Sequence, residues 1–165
     1  MKRTAKKGFT LVEILIVVII LGILAAIVIP QFTQASGEAR NSNLMTNLQT
    51  IRSQLLLYKT QHNETYPGST TDATVFGKQL TLYSDAAGGT ATAPDATHPY
   101  GPYLQSVPKN PISAVSTVTV VNNAATAFAN PAADGGWWFN MATGEFRANL
   151  KASWTLADGT KLSDL

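Results

Sequence analysis

KKGFTLVEILIVVIILGILAAIVI, residues 6–29, opens on two cations and then runs 21 residues from Phe9 to Ile29 with a single charge, Glu13. As a helix rising ~1.5 Å per residue this run covers roughly 31 Å, matching a hydrocarbon core about 30 Å thick. Lys2, Arg3, Lys6 and Lys7 stand in front of it and no cation stands just behind. The positive-inside rule therefore predicts a cytoplasmic N-terminus and an exported downstream chain. Three plainer readings compete. A secretory signal peptide has a shorter apolar core and a small-x-small cleavage site; Ala25-Ala26 is a remnant of one, but the apolar run continues past it. A buried helix of a soluble domain carries a polar face, and this run has none. A plain membrane anchor explains the length and leaves Glu13 unexplained.

A carboxylate inside a lipid-embedded helix costs roughly 2.5–3.5 kcal/mol at the bilayer centre, and less toward the interface. No Lys or Arg lies between Phe9 and Gln31, so the helix supplies no cation, and Lys6 and Lys7 sit six or seven residues back. A cut just before Phe9 would create an α-amino group one turn from Glu13. The amine of a neighbouring subunit could then pair with that carboxylate, neutralising both charges and fixing the axial stagger between subunits.

Lys6-Lys7-Gly8-Phe9-Thr10-Leu11-Val12-Glu13 followed by the apolar run resembles the processing motif of type IV pilins and type II secretion pseudopilins. The resemblance implies cleavage by a prepilin peptidase between Gly8 and Phe9, N-methylation of Phe9, and assembly roles for Phe9, Glu13 and Pro30, the last where this family carries a helix-bending proline. It is close over roughly residues 1–60 and weaker beyond. Tyr100-Gly101-Pro102-Tyr103-Leu104 with Val107-Pro108-Lys109-Asn110-Pro111 resembles a stretch of G-type pseudopilins.

Composition bounds the rest. With no cysteine, disulfides, thiolate metal sites and cysteine nucleophiles are excluded. The formal charge of +2 rests on four leader cations; without the first eight residues, eight basic side chains face ten acidic ones. The basic character is thus a topology signal and no nucleic-acid surface is expected.

Pro30 costs a regular helix ~3 kcal/mol, which predicts a kink or local melting near Ala26–Pro30, with Gly22 and Gly37 as permissive points on either side. Beyond it, Leu44, Leu48, Ile51, Leu55 and Tyr58 recur at spacings of 4, 3, 4 and 3, one apolar stripe of a helix reaching about His62. Met45 and Leu56 are expected to widen that stripe, and Arg52 to lie off it. Residues 63–68 end the helix in a Pro-Gly turn. Asp72 is expected to cap a short helix over 73–83 with Val75, Phe76, Leu80 and Tyr83 inward. Residues 84–99 and 122–136 read as exposed loops. A strand is expected over 115–121, and a hairpin pairs 137–141 with 145–150 around Gly144. A last strand or turn is expected near Trp154–Leu156 and Leu162. The fold class is α+β: a long N-terminal helix, kinked near Pro30, packed on a small antiparallel sheet.

Catalytic signals are weak. His62 and His98 read as solvated polar residues, and Asp134, Glu145, Asp158 and Asp164 as isolated surface acids. No nucleophile elbow, Walker loop or zinc-protease motif is present. Of Trp137-Trp138, strand geometry predicts one indole inward and one outward. No cofactor is expected; the resemblance admits calcium in a C-terminal loop, where Asp158-Gly159-Thr160 and Ser163-Asp164 offer oxygens without matching a ligand loop.

The expected organisation is a cleaved leader (1–8), a transmembrane and filament-core helix (9–30), an amphipathic helix of the head (31–62) and a globular α+β head (63–165). The expected function is non-enzymatic. It is that of a homo-oligomeric filament subunit built at the bacterial inner membrane, head outside the cytoplasm, with prepilin peptidase, the assembly platform and minor pseudopilins as partners. A type II secretion major pseudopilin is favoured over a type IV pilus pilin, and both over a monomeric anchored adhesin.

Overall fold

The computed structural model describes residues 8–68, 71–129, 131, 134–156 and 159–165. The chain divides into two compact units, residues up to Ala39 and Arg40–Leu165. Helix α1, Leu11–Gln61, contributes to both.

In the first unit the helix passes through Pro30 without a break, so the expected local melting does not occur. Proline's fixed φ is helical, and its missing N–H releases only the carbonyl four residues back. The neighbouring Ile29 carbonyl gains an extra donor, the Thr33 hydroxyl at 3.2 Å. Every side chain from Leu11 to Ile29 is exposed.

In the second unit the five-residue stripe from Leu44 to Tyr58 is buried in full. Met45 and Leu56, expected to widen it, are exposed instead, because the sheet covers only a narrow band of the helix. Asp72 caps α2, Ala73–Thr81, by accepting from the Thr74 N–H at 2.7 Å. Phe76 and Leu80 enter the core and Val75 is half-buried. Tyr83 has left the helix for β1, Tyr83–Ser84, which pairs antiparallel with β2, Thr90–Ala91. The expected loop 84–99 thus contains a small hairpin, fastened where the Ser84 and Tyr100 backbones exchange hydrogen bonds at 2.9 and 3.1 Å.

The main sheet has the order β3-β4-β5: Val118–Val121, Trp137–Asn140 and Glu145–Ala148. β4 and β5 form the expected antiparallel hairpin, with Gly144 at φ +77°. β3 and β4 run parallel, Val118 opposite Trp137 through Val121 opposite Asn140. The sheet is therefore mixed, since the connection over 122–136 supplies the dozen or so residues that a parallel crossover needs. The chain closes with a bridge from Thr155 to Lys161 and a 3₁₀ turn, Leu162–Asp164. Helix stripe, α2 and sheet meet in one core that also holds Trp137, Phe139, Phe146, Leu150 and Leu162.

Candidate functional site

At the start of α1 the backbone of residues 8–10 is non-helical, and Thr10 takes the capping position. Its N–H and its hydroxyl both donate to Glu13 Oε2, at 2.8 and 2.9 Å, while the Glu13 N–H donates back to Thr10 Oγ1 at 3.2 Å. This is a reciprocal capping box, which satisfies orphan donors of the first turn and sets a carboxylate at the positive end of the helix dipole. Glu13 therefore has partners within its own chain, though no cation among the described residues. The signal was in the sequence as Thr-x-x-Glu ahead of an apolar run, and a reading of Glu13 only as a charge seeking a counter-charge passes over it. Among the described residues no hydrogen bond reaches Glu13 Oε1.

Gly8 and Phe9 precede the helix, and the Phe9 side chain is 83% exposed. Among the described residues a Cβ built on Gly8 meets nothing within 4 Å. Pro30 lies inside α1, far along the helix from the Thr10–Glu13 box. Lys6 and Lys7 lie outside the described residues. The described residues contain one helix long and apolar enough, by length and composition, to cross a membrane.

The head corrects several expectations. His62 is buried rather than solvated, at 2% exposure, and stacks on Tyr58 with ring centroids 3.6 Å apart. His98 is half-buried in its loop, with Nδ1 2.9 Å from Asp95 Oδ1. The hydrogen bonds from Thr97 and His98 to Asp95 hold that carboxyl well below its ordinary range. Three of the four acids expected to be isolated, Asp134, Glu145 and Asp164, are engaged. Glu145 pairs with Arg147 at 2.5 Å, and Asp164 lies 3.9 Å from the same guanidinium. Asp134 accepts from the Lys151 N–H and the Trp154 indole, both at 3.0 Å. Asp158 lies outside the described residues, so the loop considered for calcium is described only in part. Among the described residues no three acidic or histidine side chains gather where a metal ion could be held.

Trp137 and Trp138 point to opposite faces of the sheet, yet both are buried. Trp137 enters the core and donates to the Pro108 carbonyl at 2.8 Å. Trp138, 6% exposed, is covered by Phe128 from the 122–136 loop, edge-on at 5.4 Å. No free indole platform results. Arg52, one position past Ile51 of the stripe, was the unexpected anchor. Its Nε and Nη2 donate to the Phe146 carbonyl at 3.1 and 2.7 Å, and Nη2 also to the Leu165 carbonyl.

Beside this geometry stand the comparisons with known proteins. A family profile described as "Prokaryotic N-terminal methylation motif" matches residues 3–29, which defines the class: a chain whose N-terminus carries a methylation signal at the head of an apolar helix. Type II secretion system core protein G of Klebsiella michiganensis is 30% identical over 112 residues, 67% of this chain and 71% of that protein. Its counterpart in Klebsiella pneumoniae is 31% identical over 64% of this chain and 69% of its own length. The chain belongs to the type II secretion system core protein G family. The namesake in Pseudomonas aeruginosa is 41% identical over 69 residues, and there the match spans about half of the relative's length, 48%. The type IV major pilin of Myxococcus xanthus is 36% identical over 95 residues, 58% of this chain and 35% of that protein. No solved structure matches significantly.

Proposed function

We propose that the chain is the repeating subunit of a helical filament built from the bacterial inner membrane, as the major pseudopilin of a type II secretion system. The observation that carries this reading is an apolar helix with all sides uncovered from Leu11 to Ile29, headed by the Thr10–Glu13 box and the methylation motif. Such a surface is stable in lipid or against other copies of itself. The basic leader, residues 1–8, orients the precursor with its head outside the cytoplasm. Prepilin peptidase hydrolyses the Gly8–Phe9 bond and methylates the new amine. In the lipid-embedded subunit the two Thr10 donors solvate Glu13 through Oε2. On assembly the Phe9 ammonium of a neighbour reaches the same carboxylate, with Oε1 open to receive it, and fixes the stagger between subunits. Moving the helix from lipid to the filament core exchanges one apolar environment for another, so shape fit at small residues such as Gly22, Ala25 and Ala26 holds the core together. The platform and minor pseudopilins are partners on this reading, and the chain itself carries out no catalytic step.

Glu13→Gln separates charge from cap, because the amide oxygen still accepts from Thr10. The variant is expected to be inserted and processed normally but to assemble poorly, read as sheared filament yield against total subunit. Wild-type yield would refute the charge-pairing role. The Myxococcus relative favours one second reading, a surface pilus subunit. Deletion of the gene tells the two apart: loss of exported proteins from the medium supports the pseudopilus, and loss of surface fibres with intact secretion supports the pilus.

A further inference from the structure

His62 is the buried ionisable group that the filament reading leaves unused. It ends α1 in an aromatic enclosure: Tyr58 stacked at 3.6 Å and nearly parallel, Tyr100 at 5.4 Å and Tyr103 at 6.1 Å. Both ring nitrogens are occupied. Nδ1 lies 2.8 Å from the Tyr58 carbonyl, and Nε2 lies 3.0 Å from Ser84 Oγ of β1, itself fully buried. A carbonyl only accepts, so Nδ1 carries the proton and Nε2 accepts from the Ser84 hydroxyl. One neutral tautomer thus ties the end of α1 to the β1–β2 hairpin at the point where Ser84 also pairs with Tyr100. We propose that His62 is a pH-sensitive latch, fastening the segment from Tyr83 to Tyr103 onto α1 while its imidazole is neutral and loosening it when protonated.

Protonation places a cation in a site with almost no access to water and turns Nε2 from acceptor to donor, so that the Ser84 hydroxyl must give up its own donation to the ring and rotate to accept. The charged and titratable groups around the ring oppose this only in part. Just past β1, Asp85 favours the cation through both its carboxylate and its backbone, but its Oδ1 is committed to the N–H groups of Ala87 and Gly89 at 2.9 and 2.8 Å. On α1, Lys59 is turned to Glu64 at 3.3 Å and Tyr58 stays neutral, its phenol pushed up by burial. On the segment after β2, burial likewise raises the Tyr103 phenol, whose hydroxyl is bound to Gln61 at 2.6 Å, and Tyr100 completes the wall. Desolvation outweighs these and holds His62 below the ordinary histidine range. A depressed folded pKa means that the unfolded chain binds the proton first. The latch is therefore intact above about pH 6.5, the unfolded value, and its contribution is lost progressively as pH falls from there. The Asp85 carboxyl, held below its ordinary range by its backbone hydrogen bonds to Gly89 and Ala87, does not share this window.

The test uses the full chain in mild detergent, with His98→Gln so that His62 is the sole histidine. Imidazole proton signals are followed by NMR from pH 8 to 4.5, and melting temperature is measured at pH 7.5 and 5.5 with and without His62→Gln. The expected result is a midpoint below 6.5, with Tyr100 and Tyr103 signals shifting in step. The melting temperature should fall by several degrees between the two pH values, and His62→Gln should remove most of that fall. A His62 midpoint at or above 6.5, or equal losses of melting temperature with and without the imidazole, overturns the proposal. The titration needs no His62 variant, so a misfolded substitution does not shield the idea.

Discussion

Leu55 and Leu56 are neighbours on α1, exposed at 1% and 58% respectively, and exchanging each for alanine isolates what the helix stripe contributes. The backbone effect is the same at both sites, since leucine and alanine differ little in helix propensity. What differs is packing. Deleting a fully buried leucine loses transfer energy and leaves a cavity, together about 2.7–5.0 kcal/mol in well-packed cores. A leucine more than half exposed has under half of its roughly 1.5–3 kcal/mol of burial to lose, and no cavity forms, so about 1 kcal/mol or less is expected. The two variants should thus be separated by at least about 2 kcal/mol, more than a tenfold difference in unfolding equilibrium. Urea unfolding of the full chain in mild detergent reads this through the fluorescence of Trp137 and Trp138, which are buried in β4. Equal losses at the two sites, or a larger one at Leu56, would refute the account of the core as a one-residue-wide helix stripe under the sheet.

Two further substitutions probe the same core from other sides. A Cβ at Gly144, φ +77°, would lie 2.2 Å from the Tyr66 hydroxyl oxygen, and that ring packs on Phe139 and beneath the Lys59 ammonium. Left-handed strain and displacement of Tyr66 should make Gly144→Ala cost about 2–4 kcal/mol in the same urea assay; a loss under about 0.5 kcal/mol would contradict it. Arg52→Met should cost about 1–3 kcal/mol by stranding the Phe146 and Leu165 carbonyls. Arg52→Lys should recover only part of that, because an ammonium lacks the planar fork.

Features legible in the sequence were those fixed by short-range periodicity or local backbone chemistry. The 4-3-4-3 spacing of the α1 stripe predicts all five buried positions. The Asp72 cap and the Gly144 hairpin follow from residues whose preferences suffice alone. Features set by distant chain stayed hidden. His62 is buried by Ser84 and Tyr100, Trp138 is covered by Phe128, and Arg52 finds its acceptors on β5 and at Leu165. The parallel pairing of β3 with β4 likewise depends on the path of 122–136, whose small and polar residues carry no periodic signal. Thr10 is a different case: its bond to Glu13 is local, and the capping pattern is obscured because the same Glu invites a membrane-charge reading.

The central claim is that the chain is processed between Gly8 and Phe9 to become a filament subunit. Intact mass and N-terminal sequencing of the protein extracted from membranes of its native cells test this most directly. The account predicts a chain that begins at Phe9 and carries one methyl group on its amine. A chain still beginning at Met1, or one cut after Ala26, would contradict it.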